Sequence, residues 1–151
     1  MSAFGILVPE QVIRVFDRPV SKHEALLELS EAVAATGAVP SADILMQAVQ
    51  DRESVMSTGI GGGVAIPHVR IDEITRPTIS VGISHDGIDY DALDNEPVNL
   101  LVLFAMPSGS QREYLGLLAS VMGAMKEPAF TTRLLACRTP ADAAALLNAD
   151  G

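Results

Sequence analysis

The chain has 151 residues, 48% of them hydrophobic, and a formal net charge of −9. That length suits one domain of ordinary size, expected to span residues 1–151 around a mainly aliphatic core, since there are four Phe, two Tyr and no Trp. The acidic balance excludes nucleic acid as a main partner, because phosphate backbones are held by basic surfaces.

A single cysteine, Cys137, excludes an internal disulfide and agrees with a reducing compartment. It is expected on the apolar side of a late helix as a small core residue. No window approaches the roughly 20 apolar residues of a membrane span, and no leader pattern opens the chain. The chain therefore reads as cytoplasmic, without membrane insertion.

In chain order, residues 12–16 (VIRVF) are β-branched and aromatic, bounded by prolines, and predict a short strand. Ser21 and Glu24 have capping-box spacing, and Leu26, Leu29 and Val33 follow at helical intervals. A helix is expected over 22–36, stopped at Gly37. A second, opening at Ser41 with Ile44, Leu45, Ala48 and Val49 on one face, reaches residue 53. Strands are expected over 64–66, over 78–83 after Pro77, and in short form over 88–90. Residues 100–106 are continuously apolar, which suits a strand buried on both faces at the centre of a sheet. Ser110 and Glu113 repeat the capping-box spacing ahead of an amphipathic helix ending before Pro128. A shorter helix over 128–136 and a last one opening at Thr139-Pro140 complete the chain. Alternating strands and helices imply an α/β fold, one sheet covered by helices on both faces.

The stretch from Arg52 to Arg70, RESVMSTGIGGGVAIPHVR, is unlike a packing unit. Glycines in series permit positive φ and bring amides close to a bound group, so the loop from Ser57 to Gly63 is expected to form an anion-binding concavity. Pro67 is expected to end the strand over 64–66 and leave His68 at its mouth, facing that loop. A Walker A loop is excluded, because no lysine lies between Lys22 and Lys126. The dinucleotide fingerprint fails too, since its third glycine would fall on Val64 or Ile66. Here a helix feeds the loop and a strand leaves it, the reverse of both motifs.

Arg52-Glu53, then Ser57-Thr58-Gly59-Ile60-Gly61, then Gly63-Val64-Ala65-Ile66-Pro67-His68, resembles the active-site signature of type-2 enzyme IIA domains. These are the fructose/mannitol and nitrogen-regulatory components of the bacterial phosphoenolpyruvate-dependent phosphotransferase system. Asp94-Asn95-Glu96-Pro97-Val98, leading into an apolar run, resembles the same family, and the likeness covers residues 6–147. It implies a mixed sheet flanked by helices, and a phosphoryl group carried on His68.

A neutral imidazole nitrogen is nucleophilic near neutral pH and its N–P bond is reactive. Transfer then depends on alignment and charge stabilisation. Arg52 is the candidate bidentate ligand for phosphoryl oxygens; its bland alternative is an ion pair with Glu53 or Asp51. Arg70 either does the same or meets a partner. Thr58 and Ser57 either donate hydroxyls to phosphate or cap the turn. His23 and His85 read as exposed and without special role. A zinc site from His68, His85 and an acid matches no ligand spacing, and neither metal nor cofactor is called for. The family's second histidine, early in the helix after the central strand, is matched here by Tyr114. A tyrosine donates a hydrogen bond but does not become a cation.

The resemblance implies a phosphocarrier taking its phosphoryl group from an HPr-like phosphohistidine protein. It would pass the group to an enzyme IIB or use it to signal to a regulatory target. With no fused IIB, the chain looks more like the nitrogen-regulatory branch than a sugar component. The competing reading, favoured by Tyr114, is a protein-binding module that keeps the fold without phosphate turnover.

Overall fold

The computed structural model describes residues 3–149, so the outermost residues of the single expected domain lie outside the described part. A short turn of 3-10 helix, Glu10–Val12, leads into β1 (Ile13–Phe16). Two helices follow, α1 (Lys22–Ala35) and α2 (Ala42–Val55), each opened by a serine side chain. Ser21 accepts from the Glu24 amide and Ser41 from the Ile44 amide, satisfying donors that have no partner within the helix. Three short strands come next: β2 (Gly59–Gly61), β3 (Val64–Ala65) and β4 (His68–Ile71). Two long ones, β5 (Thr78–Ile88) and β6 (Val98–Pro107), precede α3 (Gln111–Met125), α4 (Pro128–Leu135) and α5 (Pro140–Leu147).

The six strands form one mixed sheet in the order β1-β5-β6-β3-β2, with β4 also pairing β6. β1 runs parallel to β5, β3 and β4 parallel to β6, while β5–β6 and β2–β3 are antiparallel. The expected central strand is β6, buried from Leu100 to Met106. One core lies on the face covered by α1 and α2, the other on the face covered by α3, α4 and α5. Alternation divides β6 between them: Leu101, Leu103 and Ala105 enter the first, Leu100, Val102, Phe104 and Met106 the second. Each such aliphatic side chain stabilises the fold by about 1.5–3 kcal/mol on full burial.

Four expectations need correction. Residues 57–63 are not an open loop but a tight hairpin: β2 pairs β3, and Gly61, Gly62 and Gly63, all at positive φ, make its tip. His68 opens β4 and is not left at a mouth facing the glycine tip, and what ends β3, as expected, is Pro67. Lacking an N–H it breaks the ladder, yet its carbonyl accepts from the Phe104 amide at 2.9 Å. The pairing with β6 then resumes at His68 with the same offset as before the proline. Ile88 belongs to β5, joined through an irregularity after Ile83, and does not start a separate strand. Finally, Ser110 precedes α3 without capping it, because its hydroxyl donates to the Pro107 carbonyl. Thr139 does cap α5, accepting from the Asp142 amide.

Two glycine substitutions separate close approach from mere chain freedom. A Cβ on Gly59 would lie 2.9 Å from Ala92 Cα and 2.7 Å from its Cβ, so backbone must move. Gly116, exposed on α3, has nothing within 4 Å of such an atom. Gly59→Ala is expected to cost about 1–3 kcal/mol and Gly116→Ala to gain about 0.5–1 kcal/mol, both read from urea unfolding midpoints.

Candidate functional site

His68 opens β4, the edge strand alongside which α2 packs. Alternation puts His68 and Arg70 on one face and sends Val69 into the core beneath α2. The bond from the Phe104 amide to Pro67 fixes the phase of the parallel ladder. Val69 therefore turns its polar groups to β6, while the His68 and Arg70 amides face the unpaired side. There β4 and α2 enclose an open cleft of about 450 Å³ lined by Ala48, Asp51, Arg52, His68, Val69, Arg70 and Ile71.

The imidazole is half-buried, and Nδ1 lies 3.0 Å from the Ile66 carbonyl oxygen. A carbonyl only accepts, so Nδ1 carries the proton and Nε2 of the neutral ring keeps its lone pair. Arg52 stands in the last turn of α2, where its Nη1 donates to the Met56 carbonyl at 3.2 Å. It does not pair with Glu53 or Asp51 as the bland alternative would have it. Arg70 is exposed, its guanidinium carbon 5.5 Å from the Tyr114 ring centre. Tyr114, from the first turn of α3, lies 5.6 Å centre to centre from the His68 ring at 31°. Burial pushes its phenol above the ordinary value, against the charges of Arg70 and Arg52. Four of the residues singled out from the sequence thus meet at one place: His68, Arg52, Arg70 and Tyr114.

Thr58 and Ser57 do not join them in the cleft. Thr58 is buried, and its hydroxyl donates to Glu53 Oε2 and lies 3.0 Å from the Tyr90 hydroxyl. Ser57 Oγ donates to the Tyr90 carbonyl at 3.3 Å and accepts from the Gly59 amide at 3.2 Å. Both buttress the site from behind. The glycine tip is also elsewhere. Val64 pairs Leu100 while His68 pairs Phe104, which separates them by about 13 Å along the sheet. At that tip the Gly62 amide donates to Asp94 Oδ2 at 3.1 Å. The Glu96 and Gly62 amides hold the Asp94 carboxyl below its ordinary range.

What sequence reasoning missed is the group behind the cleft. Glu53, its side chain only 7% exposed, takes Lys22 Nζ at 2.8 Å, the Thr58 hydroxyl, and the Thr58 amide at 3.3 Å. Lys22 also sits 4.2 Å from the centre of the Tyr90 ring and donates to the Tyr90 carbonyl. Burial, and then the charge of Glu53, raises the Tyr90 phenol far above its usual value. Glu53 was visible as part of the Arg52-Glu53 pair; Lys22 and Tyr90 carried no local signal. Among the other histidines, His23 is exposed beside Gln50. His85, expected exposed, is half-buried with Nε2 3.0 Å from the Cys137 carbonyl. Cys137 is a core residue as read, but it lies in the connection between α4 and α5 and not on a helix, its Sγ donating to the Arg133 carbonyl. No helix among the described residues is long and apolar enough to cross a membrane.

Residues 6–150 match the family model described as phosphoenolpyruvate-dependent sugar phosphotransferase system, EIIA 2. A fructose-specific EIIA component from Haloferax volcanii is 29% identical over 129 residues, 85% of this chain and 84% of that one. A nitrogen regulatory protein from Klebsiella oxytoca is 35% identical over 120 residues, 79% of this chain and 74% of its own. Among solved structures, the nitrogen regulatory protein IIA-Ntr of Neisseria meningitidis matches with a TM-score of 0.83 at 26% identity, covering 93% of this chain and 95% of that one. The Escherichia coli mannitol IIA in its complex with phosphorylated IIB shares the fold, with a TM-score of 0.76 at 20% identity over 94% and 96% of the two chains.

Removing one partner from a buried ion pair strands the other, at a cost of up to about 3–5 kcal/mol. Glu53→Ala leaves Lys22, the Thr58 hydroxyl and the Thr58 amide without their shared partner and is expected to lose about 3 kcal/mol, and Lys22→Ala less, because Glu53 then keeps both bonds from Thr58. Chemical unfolding of the two variants checks the order.

Proposed function

Because the chain belongs to the type-2 enzyme IIA family of the phosphoenolpyruvate-dependent sugar phosphotransferase system, we propose that it is a histidine phosphocarrier whose acceptor atom is His68 Nε2. The observation that carries this reading is the bond between His68 Nδ1 and the Ile66 carbonyl. It assigns the ring proton to Nδ1 and leaves Nε2 as the nucleophile beside two guanidinium groups.

The donor is a phosphohistidine on an HPr-like protein. Nε2 attacks phosphorus as the donor's N–P bond breaks, and the bonding pair returns to the donor imidazole. Positive character that develops on the His68 ring is offset by the Ile66 carbonyl at Nδ1. Arg52 and Arg70 receive the equatorial oxygens, where charge spreads in the loose transition state. The outward amides of β4 supply donors in place of the expected glycine cradle. Thr58 acts by holding the end of α2 through Glu53, Ser57 by tying the start of the hairpin to Tyr90, and Tyr114 packs on the ring.

The acceptor of the phosphoryl group is an enzyme IIB, as in the mannitol complex, or else the phosphorylated state signals to a regulatory target. We favour nitrogen-type regulation in the cytoplasm, which the 35% identity to a nitrogen regulatory protein supports. Tyr114 beside the imidazole favours the second reading, a binding module without phosphate turnover.

Incubation with phosphoenolpyruvate, enzyme I and HPr is expected to add one acid-labile phosphoryl group, absent in His68→Ala. Arg52→Ala is expected to slow its transfer by about 10²-fold, measured by quench-flow and intact mass. A native chain that stays unlabelled while Tyr114→His becomes labelled would establish the binding module instead.

A further inference from the structure

One flank of β4 carries main-chain groups with nothing to meet. Among the described residues the strand pairs only with β6. Val69 turns its N–H and C=O to that neighbour, so those of His68 and Arg70 point into the cleft between β4 and α2. An exposed row of this kind is a template for one more strand. Because β4 spans only His68–Ile71, the template suits a short extended segment.

The side chains beside the row say which segment fits. In an antiparallel pair, residues directly opposite one another share a face. Those opposite His68 and Arg70 would lie beside the imidazole and the exposed guanidinium, and the residue between them on the face of Val69 and Ile71. Arg52 lines the same cleft, and neither arginine has a carboxylate within ion-pair distance among the described residues. Asp51, the acid that lines the cleft, already accepts from Gln47 Nε2 at 2.9 Å. Acidic and apolar side chains in alternation complement this flank. A second copy of the chain does not, because pairing β4 with β4 would bring two Arg70 side chains onto one narrow face.

We propose that β4 is a docking edge: the unphosphorylated protein takes an extended segment of a partner protein, with acidic and apolar residues in alternation, as an added antiparallel strand. The acidic side chains meet Arg52 and Arg70. A phosphoryl group on His68 is a competing anion for the same guanidinium groups and expels the segment. That release rests on the phosphocarrier reading, whereas the docking does not.

The probe is the blocked peptide acetyl-VEVEV-amide, added to the full chain with ¹⁵N–¹H spectra and amide hydrogen exchange as readouts. Binding below about 5 mM is expected, with slowed exchange at the His68 and Arg70 amides. N-methylation of the two Glu residues removes the donors aimed at β4 and is expected to abolish binding. N-methylation of the central Val, whose N–H points away, is expected to leave it intact. Arg70→Gln, at an exposed position, is expected to weaken binding about fivefold, and acetyl-VKVKV-amide is expected not to bind. No spectral change at about 5 mM, unchanged His68 and Arg70 amides, or equal binding by the Glu-methylated or the lysine peptide overturns the proposal. Phosphorylation through enzyme I and HPr is expected to weaken binding about tenfold; equal binding by the phosphorylated chain overturns the release. A chain that binds the peptide yet accepts no phosphoryl group would sustain the docking edge and overturn the phosphocarrier instead.

Discussion

The Glu53 carboxylate is the point on which the site depends. A carboxylate with 7% of its side chain exposed must have its lone pairs filled, because an unmet buried charge costs several kcal/mol. It is filled from three directions: Lys22 at the start of α1, the Thr58 hydroxyl, and the Thr58 amide. The start of one helix, the end of another and the entrance to the β2–β3 hairpin are thereby brought to one place. Successive helix residues project about 100° apart, so an inward Glu53 directs its neighbour Arg52 to the side, where it lines the cleft with His68.

The same group reaches the imidazole through a continuous run of bonds. Thr58, held by Glu53, accepts the Ile66 amide on its carbonyl at 3.0 Å. Ile66 in turn accepts from His68 Nδ1. Pro67 lies within this run, and its missing N–H is what interrupts the ladder between Ile66 and His68. Since β4 resumes in register after the break, the imidazole is mounted on a paired strand beside a buried sheet and does not hang from a loop. Rigid mounting fixes the direction in which the ring faces the cleft.

The edge position of β4 supplies the other half of the arrangement. One flank is bonded to β6, which is buried on both faces; the other is open to the cleft. A side chain on a central strand would be sealed from any partner, and one on a loop would wander. Tyr114 completes the setting from the opposite face, reaching His68 from a helix that starts only after the central strand has ended.

Local chemistry in the sequence was enough to determine the helices, the buried central strand, and the grouping of Arg52, His68 and Arg70 near one another. Helical spacing, a run of seven apolar residues in β6, and proximity along the chain all act over a few positions. The likeness of the glycine–proline–histidine run to the type-2 enzyme IIA signature identified the family before any geometry was available. Only the tertiary structure decided that the glycine tip points to Asp94 and away from the imidazole, that Thr58 turns inward, and that Nε2 is the free nitrogen. The first two depend on partners 32 residues distant, Asp94 and Tyr90; the third rests on a bond to Ile66, two residues away, whose geometry no sequence pattern prints. Of the deepest element, only Glu53 carried a sequence signal; that Lys22 and Tyr90 join it did not, because a buried charge is recognised by what surrounds it in space.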